Sequence, residues 1–312
     1  MRLQAKIIRR RHTLAQPLLR LSGTRPANAE PLFVIGSGRS GNTLVRRVLL
    51  ASQQIHIPPE TYVLGDIIEG WPQMLLLPWR QRVWLFCAHF EKHYHFPTFG
   101  LDSLGEFAAE AEQLEPRSLR ALIEAFYAYL TRKSGSPAAR WGDKTPWNTY
   151  HLPAIGAVFP QARYVWLMRD GRDVALSYVN AGLHGSLSEA GQRWAEANRA
   201  CGRFARWCPH LYLLRYEDLV TAPEAAFGAL FAWAGLAFQP EMLKTQPGAM
   251  GDVELEGHHA QVRQEISPRS VGTWREQLTG AELDALPAPF WDQMRALGYS
   301  GGSPQPGGRV AT

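Results

Sequence analysis

The chain has 312 residues, of which 46% are hydrophobic and 20% charged, proportions typical of a globular protein and unlike those of a disordered or fibrous one. Its formal net charge of +5 permits anionic ligands, but the arginines are scattered and form no recognisable nucleic-acid motif. We therefore expect no binding of DNA or RNA. Nor do we expect a transmembrane segment, because Pro78, Arg80 and Arg82 interrupt the most apolar stretch.

Cysteine content predicts the compartment. The three cysteines form no CxxC pair and leave one thiol over in any disulfide scheme, which favours a reducing, cytoplasmic location. Residues 1–30 form a basic segment without the apolar stretch of a secretory signal, so we predict a solvated tail, with a transit peptide as the alternative.

The first predicted elements are a strand and a helix. Leu32 to Ile35 is a run of apolar residues and predicts a buried strand. Residues 42–53 place Leu44, Val45 and Leu49 at helical spacing. A loop rich in small residues joins the two.

Further strands and helices alternate along the rest of the chain. Residues 62–133 are mostly helical and rich in aromatic residues, a pattern more typical of core than of a pocket. Strands are predicted at 140–142, 163–168 and 211–214, and helices at 189–207, 223–234 and 281–297. This alternation predicts an α/β domain over residues 31–300, with a central parallel sheet and inserted helices, followed by a disordered tail at 301–312.

The loop from Gly36 to Thr43 has the features of an anion cradle. Glycines allow the backbone to approach a ligand, and the free amides and dipole of a helix N-terminus favour negative charge. The spacing matches the nucleotide-binding pattern GxxxxGK[ST], except that Asn42 replaces the lysine and Arg39 supplies a charge within the loop. The absence of the lysine argues against binding of a metal-bound triphosphate. A glycine turn without a ligand remains an alternative.

A second anion-binding element follows the strand at 163–168. Arg169 ends the strand, and Ser177 lies about two turns into the next helix. A guanidinium and a hydroxyl can together hold a phosphate. Alternatively, Arg169 pairs with Asp170 or Asp173 in a surface network.

The two elements together resemble the sulfotransferases that use 3′-phosphoadenosine 5′-phosphosulfate (PAPS), in particular protein-tyrosine and bacterial sulfotransferases with an Arg-Ser-Gly-Thr-Thr loop. The resemblance implies a P-loop-type three-layer fold, PAPS as sulfuryl donor and no metal. It also implies that the donor's 5′-phosphosulfate is held by the loop residues Gly38, Arg39, Ser40, Gly41, Asn42 and Thr43. Arg169 and Ser177 would then hold its 3′-phosphate.

The resemblance assigns roles to four further residues. Glu60, in a Pro-Glu-Thr segment, is similar to the family's catalytic base, and Lys144 to a cation beside the leaving phosphate. Tyr216 and Gly272 correspond to residues near the nucleotide. Three alternatives remain: an N-cap or surface role for Glu60, a salt bridge from Lys144 to Asp143 or another surface carboxylate, and a core position for Tyr216.

The expected reaction is in-line transfer to a hydroxyl of a tyrosyl, carbohydrate or small-molecule acceptor, with Glu60, Arg39 and Lys144 as catalytic residues. A P-loop kinase and a non-catalytic nucleotide-binding protein are the alternative functions. The histidines at 89, 93 and 95 lack the order of a known metal motif, so we predict a solvated helix face there. Oligomeric state is not predicted.

Overall fold

The computed structural model describes residues 30–244, 250 and 265–299. Five parallel strands form one sheet in the order β2-β3-β1-β4-β5. The strands are β1 (Leu32–Gly36), β2 (Ile55–His56), β3 (Arg140–Lys144), β4 (Arg163–Met168) and β5 (Leu211–Arg215). The strand that precedes the glycine loop is therefore at the centre of the sheet.

Helices cover both faces of the sheet. On the first strand Phe33 and Ile35 pack into one apolar cluster and Leu32 and Val34 into another, as the alternation of side chains along a strand requires. The helices are α1 (Asn42–Ala51), α2 (Leu64–Met74), α3 (Trp79–Glu91), α4 (Gly105–Glu112), α5 (Leu119–Lys133), α6 (Leu152–Val158), α7 (Gly171–Asn180), α8 (Leu187–Ala205), α9 (Tyr216–Thr221), α10 (Pro223–Ala234), α11 (Trp274–Gln277), α12 (Gly280–Asp284) and α13 (Ala288–Ala296).

Short 3-10 helices lie between these elements, at Phe96–Phe99, Pro146–His151, Pro240–Leu243 and Pro268–Ser270. Helices on both faces of a parallel sheet confirm the predicted α/β three-layer fold. None of the described helices is both long and apolar enough to span a membrane.

Most of the aromatic residues of the helical segment belong to the core. Buried side chains there are Trp71, Trp79, Phe86, Phe90, Phe96, Phe126, Tyr127 and Tyr129. Tyr94 differs, since 79% of its surface is exposed. This part of the chain therefore packs mainly as a wall against the sheet.

The sequence prediction differs from the structure in two places. The strand β2 was not predicted, because two residues are too few for a periodic pattern. The predicted helix over 281–297 is wrong as a single element: it is broken between α12 and α13, where Pro287 precedes the second helix. The two predicted tails, apart from Glu30, lie outside the described residues.

The carboxyl ends of the parallel strands position the site. The glycine loop follows β1, Lys144 ends β3, Arg169 follows β4 and Tyr216 follows β5. Because the strands are parallel, these four positions lie along the same edge of the sheet.

Candidate active site

The loop between β1 and α1 packs too tightly for larger residues at its glycines. Gly41 precedes the helix with φ 97°, and a Cβ there would lie 2.5 Å from the ring of Tyr216. A Cβ on Gly38 would lie 2.5 Å from the hydroxyl of Tyr178. Arg39 adopts a left-handed φ of 62°, which is unusual for a residue with a side chain. The N-cap residue of α1, Gly41, provides no side-chain cap for the backbone amides of the first turn.

Asn42 braces this loop from within. Its side-chain amide donates a hydrogen bond to the carbonyl of Ser37 at 2.8 Å, and the residue is 5% exposed. The side chain at the position of the nucleotide-binding lysine therefore bends back onto the loop. It supplies no cation, which leaves Arg39 as the charged residue of the loop.

Arg39, Arg169 and Ser177 meet around the loop. The Arg39 Nε donates to Ser177 Oγ at 3.1 Å, and Arg169 Nη1 donates to the Arg39 carbonyl at 2.9 Å. The Arg169 guanidinium also lies 4.4 Å from the ring centroid of Tyr216. The two predicted anion-binding elements therefore form one cluster.

The aspartates that follow Arg169 have other partners. Asp170 accepts two hydrogen bonds from the guanidinium of Arg172, at 2.7 and 3.0 Å. Asp173 accepts bonds from the backbone amide of Gly272 at 2.7 Å and from the hydroxyl of Thr273 at 2.9 Å. Neither carboxylate pairs with Arg169, so the predicted surface network is not what the structure shows.

Asp173 and Arg169 together hold the segment around Ser270 over the loop. Arg169 Nη2 donates to the carbonyl of Ser270 at 2.6 Å, while Asp173 binds the following turn. Arg172 stacks 3.7 Å from the ring of Trp274. These contacts bring residues distant in sequence to the edge of the site.

Glu60 and Lys144 form a buried ion pair. The Lys144 Nζ lies 2.5 Å from Glu60 Oε1, and the side chains are 0% and 12% exposed. Of these two side chains, only Glu60 lines the cavity of the site. Lys144 therefore contacts the cavity through Glu60, and the alternative ion pair with Asp143 does not form.

Asp143 instead anchors the segment that carries Glu60. It is 1% exposed and accepts hydrogen bonds from Thr61 Oγ1 at 2.7 Å, Tyr127 Oη at 2.6 Å and Asn148 Nδ2 at 2.9 Å. Because Thr61 follows Glu60 directly, this network fixes the backbone of the proposed base.

A cavity of about 760 Å³ joins the loop to Glu60. Ten of the residues with predicted or observed roles line it: Gly38, Arg39, Gly41, Asn42, Thr43, Glu60, Arg169, Ser177, Tyr178 and Tyr216. Ser40, Lys144 and Gly272 do not line it. Ser40 and Lys144 are buried behind its wall, and the amide of Gly272 binds Asp173.

The far side of the cavity is aromatic and basic. The rings of Tyr62 and His95 stack at 4.3 Å and 10°, next to the exposed Tyr94. Trp147 and Arg193 line the cavity from other elements. Burial and the nearby His95 lower the pKa of His93, which stacks on Tyr62. The structure therefore places His93 and His95 after the end of α3, partly buried in an aromatic stack, whereas His89 is exposed on α3 as predicted.

Sequence reasoning missed three residues of this region, namely Asp143 as an anchor, Tyr178 and Arg193. Tyr178 directly follows the predicted Ser177, but nothing in the local pattern distinguishes it from a core tyrosine. Arg193 lies within a helix that shows only ordinary amphipathic spacing.

Comparisons with known proteins agree with this geometry. The family model described as "Sulfotransferase family" matches residues 31–240. Protein-tyrosine sulfotransferase 2 of Gallus gallus is 24% identical over 284 residues, 86% of this chain and 69% of that protein. Protein-tyrosine sulfotransferase 1 of Danio rerio is 25% identical over 285 residues, 86% of this chain and 72% of that protein.

Two solved structures share the fold. The sulfotransferase domain of the Synechococcus PCC 7002 olefin synthase superposes with a TM-score of 0.60 at 21% identity, covering 89% of this chain and 98% of that one. The sulfotransferase domain from the curacin biosynthetic pathway gives 0.57 at 22% identity, covering 87% and 98%. With a family model matching most of its length, the chain belongs to the sulfotransferase family.

Proposed function

We propose that the chain transfers a sulfuryl group from PAPS to a hydroxyl group of an acceptor that binds beside Glu60. One observation carries the proposal: a basic loop, a second arginine and serine, and a carboxylate paired with a lysine border a single cavity. Arg39 and Arg169 supply positive charge at one end, and Glu60 supplies a proton acceptor nearer the other.

The donor end of the cavity fits an anionic nucleotide. Arg169 lines the cavity, and its Nε is buried and has no hydrogen-bond partner among the described residues. An unsatisfied buried donor costs about 1–3 kcal/mol, so a ligand oxygen at this atom would stabilise the site. The uncapped first turn of α1 adds backbone amides.

In this proposal PAPS supplies an activated sulfuryl group. The amides of the loop and Arg39 hold its 5′-phosphosulfate oxygens, while Arg169 and Ser177 bind its 3′-phosphate. Glu60 accepts the proton of the acceptor hydroxyl as the oxygen approaches sulfur. Positioning and electrostatic stabilisation by these groups lower the barrier.

Lys144 fixes the position of Glu60 through their ion pair at 2.5 Å. The proposed contact of Lys144 with the leaving phosphate requires its ammonium to turn away from Glu60, and it stays a prediction. Tyr216 would face the adenosine, because its ring packs against Gly41 and the guanidinium of Arg169. Gly272 would act through the turn that Asp173 holds.

The kinase alternative is weaker for a structural reason. Its lysine would have to reach the terminal phosphates, but Asn42 occupies that position and bends back onto Ser37.

A cytoplasmic location is also proposed, and it is supported by the three cysteines, which are free thiols.

Thermal unfolding with nucleotides tests the donor. A ligand at 100 times its Kd adds about 2.7 kcal/mol of stability, which raises Tm by about 4 °C for a chain of this size. We expect 3′,5′-adenosine bisphosphate to give such a shift and ATP with Mg²⁺ to give none. A larger Tm shift with ATP and Mg²⁺ would favour the kinase. If neither nucleotide shifts Tm, the assignment of the donor site is wrong.

A further inference from the structure

A basic side chain, Arg193, lines the same cavity as Tyr62 and His95. Arg193, on α8, lines the cavity together with Trp147. Its guanidinium carbon lies 4.8 Å from the ring centroid of Trp147 and 4.3 Å from that of Tyr150. Two aromatic faces therefore hold the guanidinium in place at the wall.

Arg193 has no carboxylate partner among residues 30–244, 250 and 265–299. Some exposed arginines elsewhere do, as Arg132 pairs with Glu110 and Arg295 with Asp292. A guanidinium offers five N–H donors along its edge, and stacking uses only its faces. Tyr178 lies near Arg193, whose charge opposes the rise in the Tyr178 pKa that burial causes, and the guanidinium keeps donors for a ligand.

This arginine is separate from the donor end of the cavity. The Tyr178 hydroxyl lies 3.5 Å from Ser37 Oγ and packs against Gly38, so Tyr178 stands between the loop and Arg193. Arg39 and Arg169 already provide the charge at the loop. An anion at Arg193 would therefore belong to the acceptor.

The cavity also has exposed apolar side chains in its lining. Tyr94, Trp147 and Leu183 line the cavity and are 79%, 41% and 46% exposed. Large apolar side chains in contact with water gain free energy when a ligand covers them, at about 25 cal/mol per Å². An acceptor with an aromatic part would cover these side chains.

We infer that Arg193 binds an anionic group of the acceptor, and that the acceptor is an aromatic hydroxyl compound carrying a carboxylate or a similar anion. The inference rests on the proposed function, because it places the hydroxyl at Glu60 of the same cavity. Arg193 then determines specificity and takes no part in the bond-forming step.

Binding of a matched pair of compounds tests this. With the donor site saturated by 3′,5′-adenosine bisphosphate, calorimetry measures the Kd of para-hydroxyphenylacetate and of its uncharged amide. The variants are Arg193→Gln and, as a control for net charge, Arg203→Gln, an exposed residue of the same helix that does not line the cavity.

In the wild type we expect the carboxylate to bind about 10-fold or more tightly than the amide, the effect of one charge-assisted hydrogen bond. Arg193→Gln should reduce this preference below about 2-fold, while Arg203→Gln should keep it. Equal binding of the two compounds to the wild type, binding of neither, or an unchanged preference in Arg193→Gln would each overturn the inference.

Binding of 3′,5′-adenosine bisphosphate distinguishes failure of the inference from failure of the proposed function. If 3′,5′-adenosine bisphosphate binds and radiolabelled sulfate is transferred from PAPS equally well to charged and uncharged phenols, the inference fails and the proposed function stands. If the bisphosphate does not bind, the proposed function fails first.

Discussion

Replacing Glu60 by glutamine should lower both turnover and stability. A second substitution, at Lys144, distinguishes the two effects. Loss of a general base lowers kcat by about 10²–10⁴. The same change replaces the carboxylate that pairs with the Lys144 ammonium at 2.5 Å by a neutral amide. The Lys144 side chain is fully buried, so its ammonium loses the negative charge of Glu60 without gaining water, at a cost of about 1.5–3 kcal/mol.

The double variant Glu60→Gln, Lys144→Met removes the buried ammonium as well. It should recover most of the lost free energy of unfolding, because replacing a whole buried ion pair is often nearly neutral. Turnover should not recover, since no carboxylate remains at the acceptor. Urea unfolding and initial rates with PAPS measure the two quantities on the same samples. Turnover of Glu60→Gln within a few-fold of the wild type would refute the assignment of the base.

Three further changes have defined outcomes. Arg169→Ala should weaken binding of 3′,5′-adenosine bisphosphate about 100-fold and binding of adenosine 5′-phosphate little, as measured by calorimetry; equal losses would remove Arg169 from the 3′-phosphate site. Gly38→Ala should cost about 1–3 kcal/mol in urea unfolding, because its Cβ would lie 2.5 Å from the Tyr178 hydroxyl, and adding Tyr178→Phe should restore stability, since the next ring atom is 3.3 Å away. Burial lowers the pKa of His56 from 6.5 to about 4, so its stabilising effect is present above pH 6.5 and is lost as pH falls toward 4. Unfolding free energy should drop by about 3 kcal/mol more over that range in the wild type than in His56→Gln, and parallel pH profiles would contradict this.

The central strands and the loop were predictable from local pattern. The predicted strand at 163–168 matches β4, and the predicted helix at 223–234 matches α10, because apolar runs and a proline at the helix start mark these boundaries. The spacing of small residues after β1 and the resemblance to known sulfotransferases pointed to the loop itself. These features depend on residues close together in sequence.

The contacts that complete the site depend on residues distant in sequence. Asp143 and Thr61 meet only because β3 and the segment after β2 end at the same edge of the sheet. Arg193 reaches the cavity because α8 packs beside α7, and no spacing within α8 indicates this. At Asn42 the sequence showed only that the lysine is missing. The hydrogen bond from the Asn42 side chain to the Ser37 carbonyl is evident only from the structure.

Transfer of radiolabelled sulfate from PAPS is the most direct measurement of the proposed reaction. Purified chain, without added metal, is incubated with PAPS and a panel of phenols, tyrosine peptides, sugars and lipids, beside Glu60→Gln as the matched blank. We predict labelled product with at least one hydroxyl acceptor and at least about 100-fold less with the variant. Binding of 3′,5′-adenosine bisphosphate without transfer to any acceptor would instead indicate a nucleotide-binding protein without turnover.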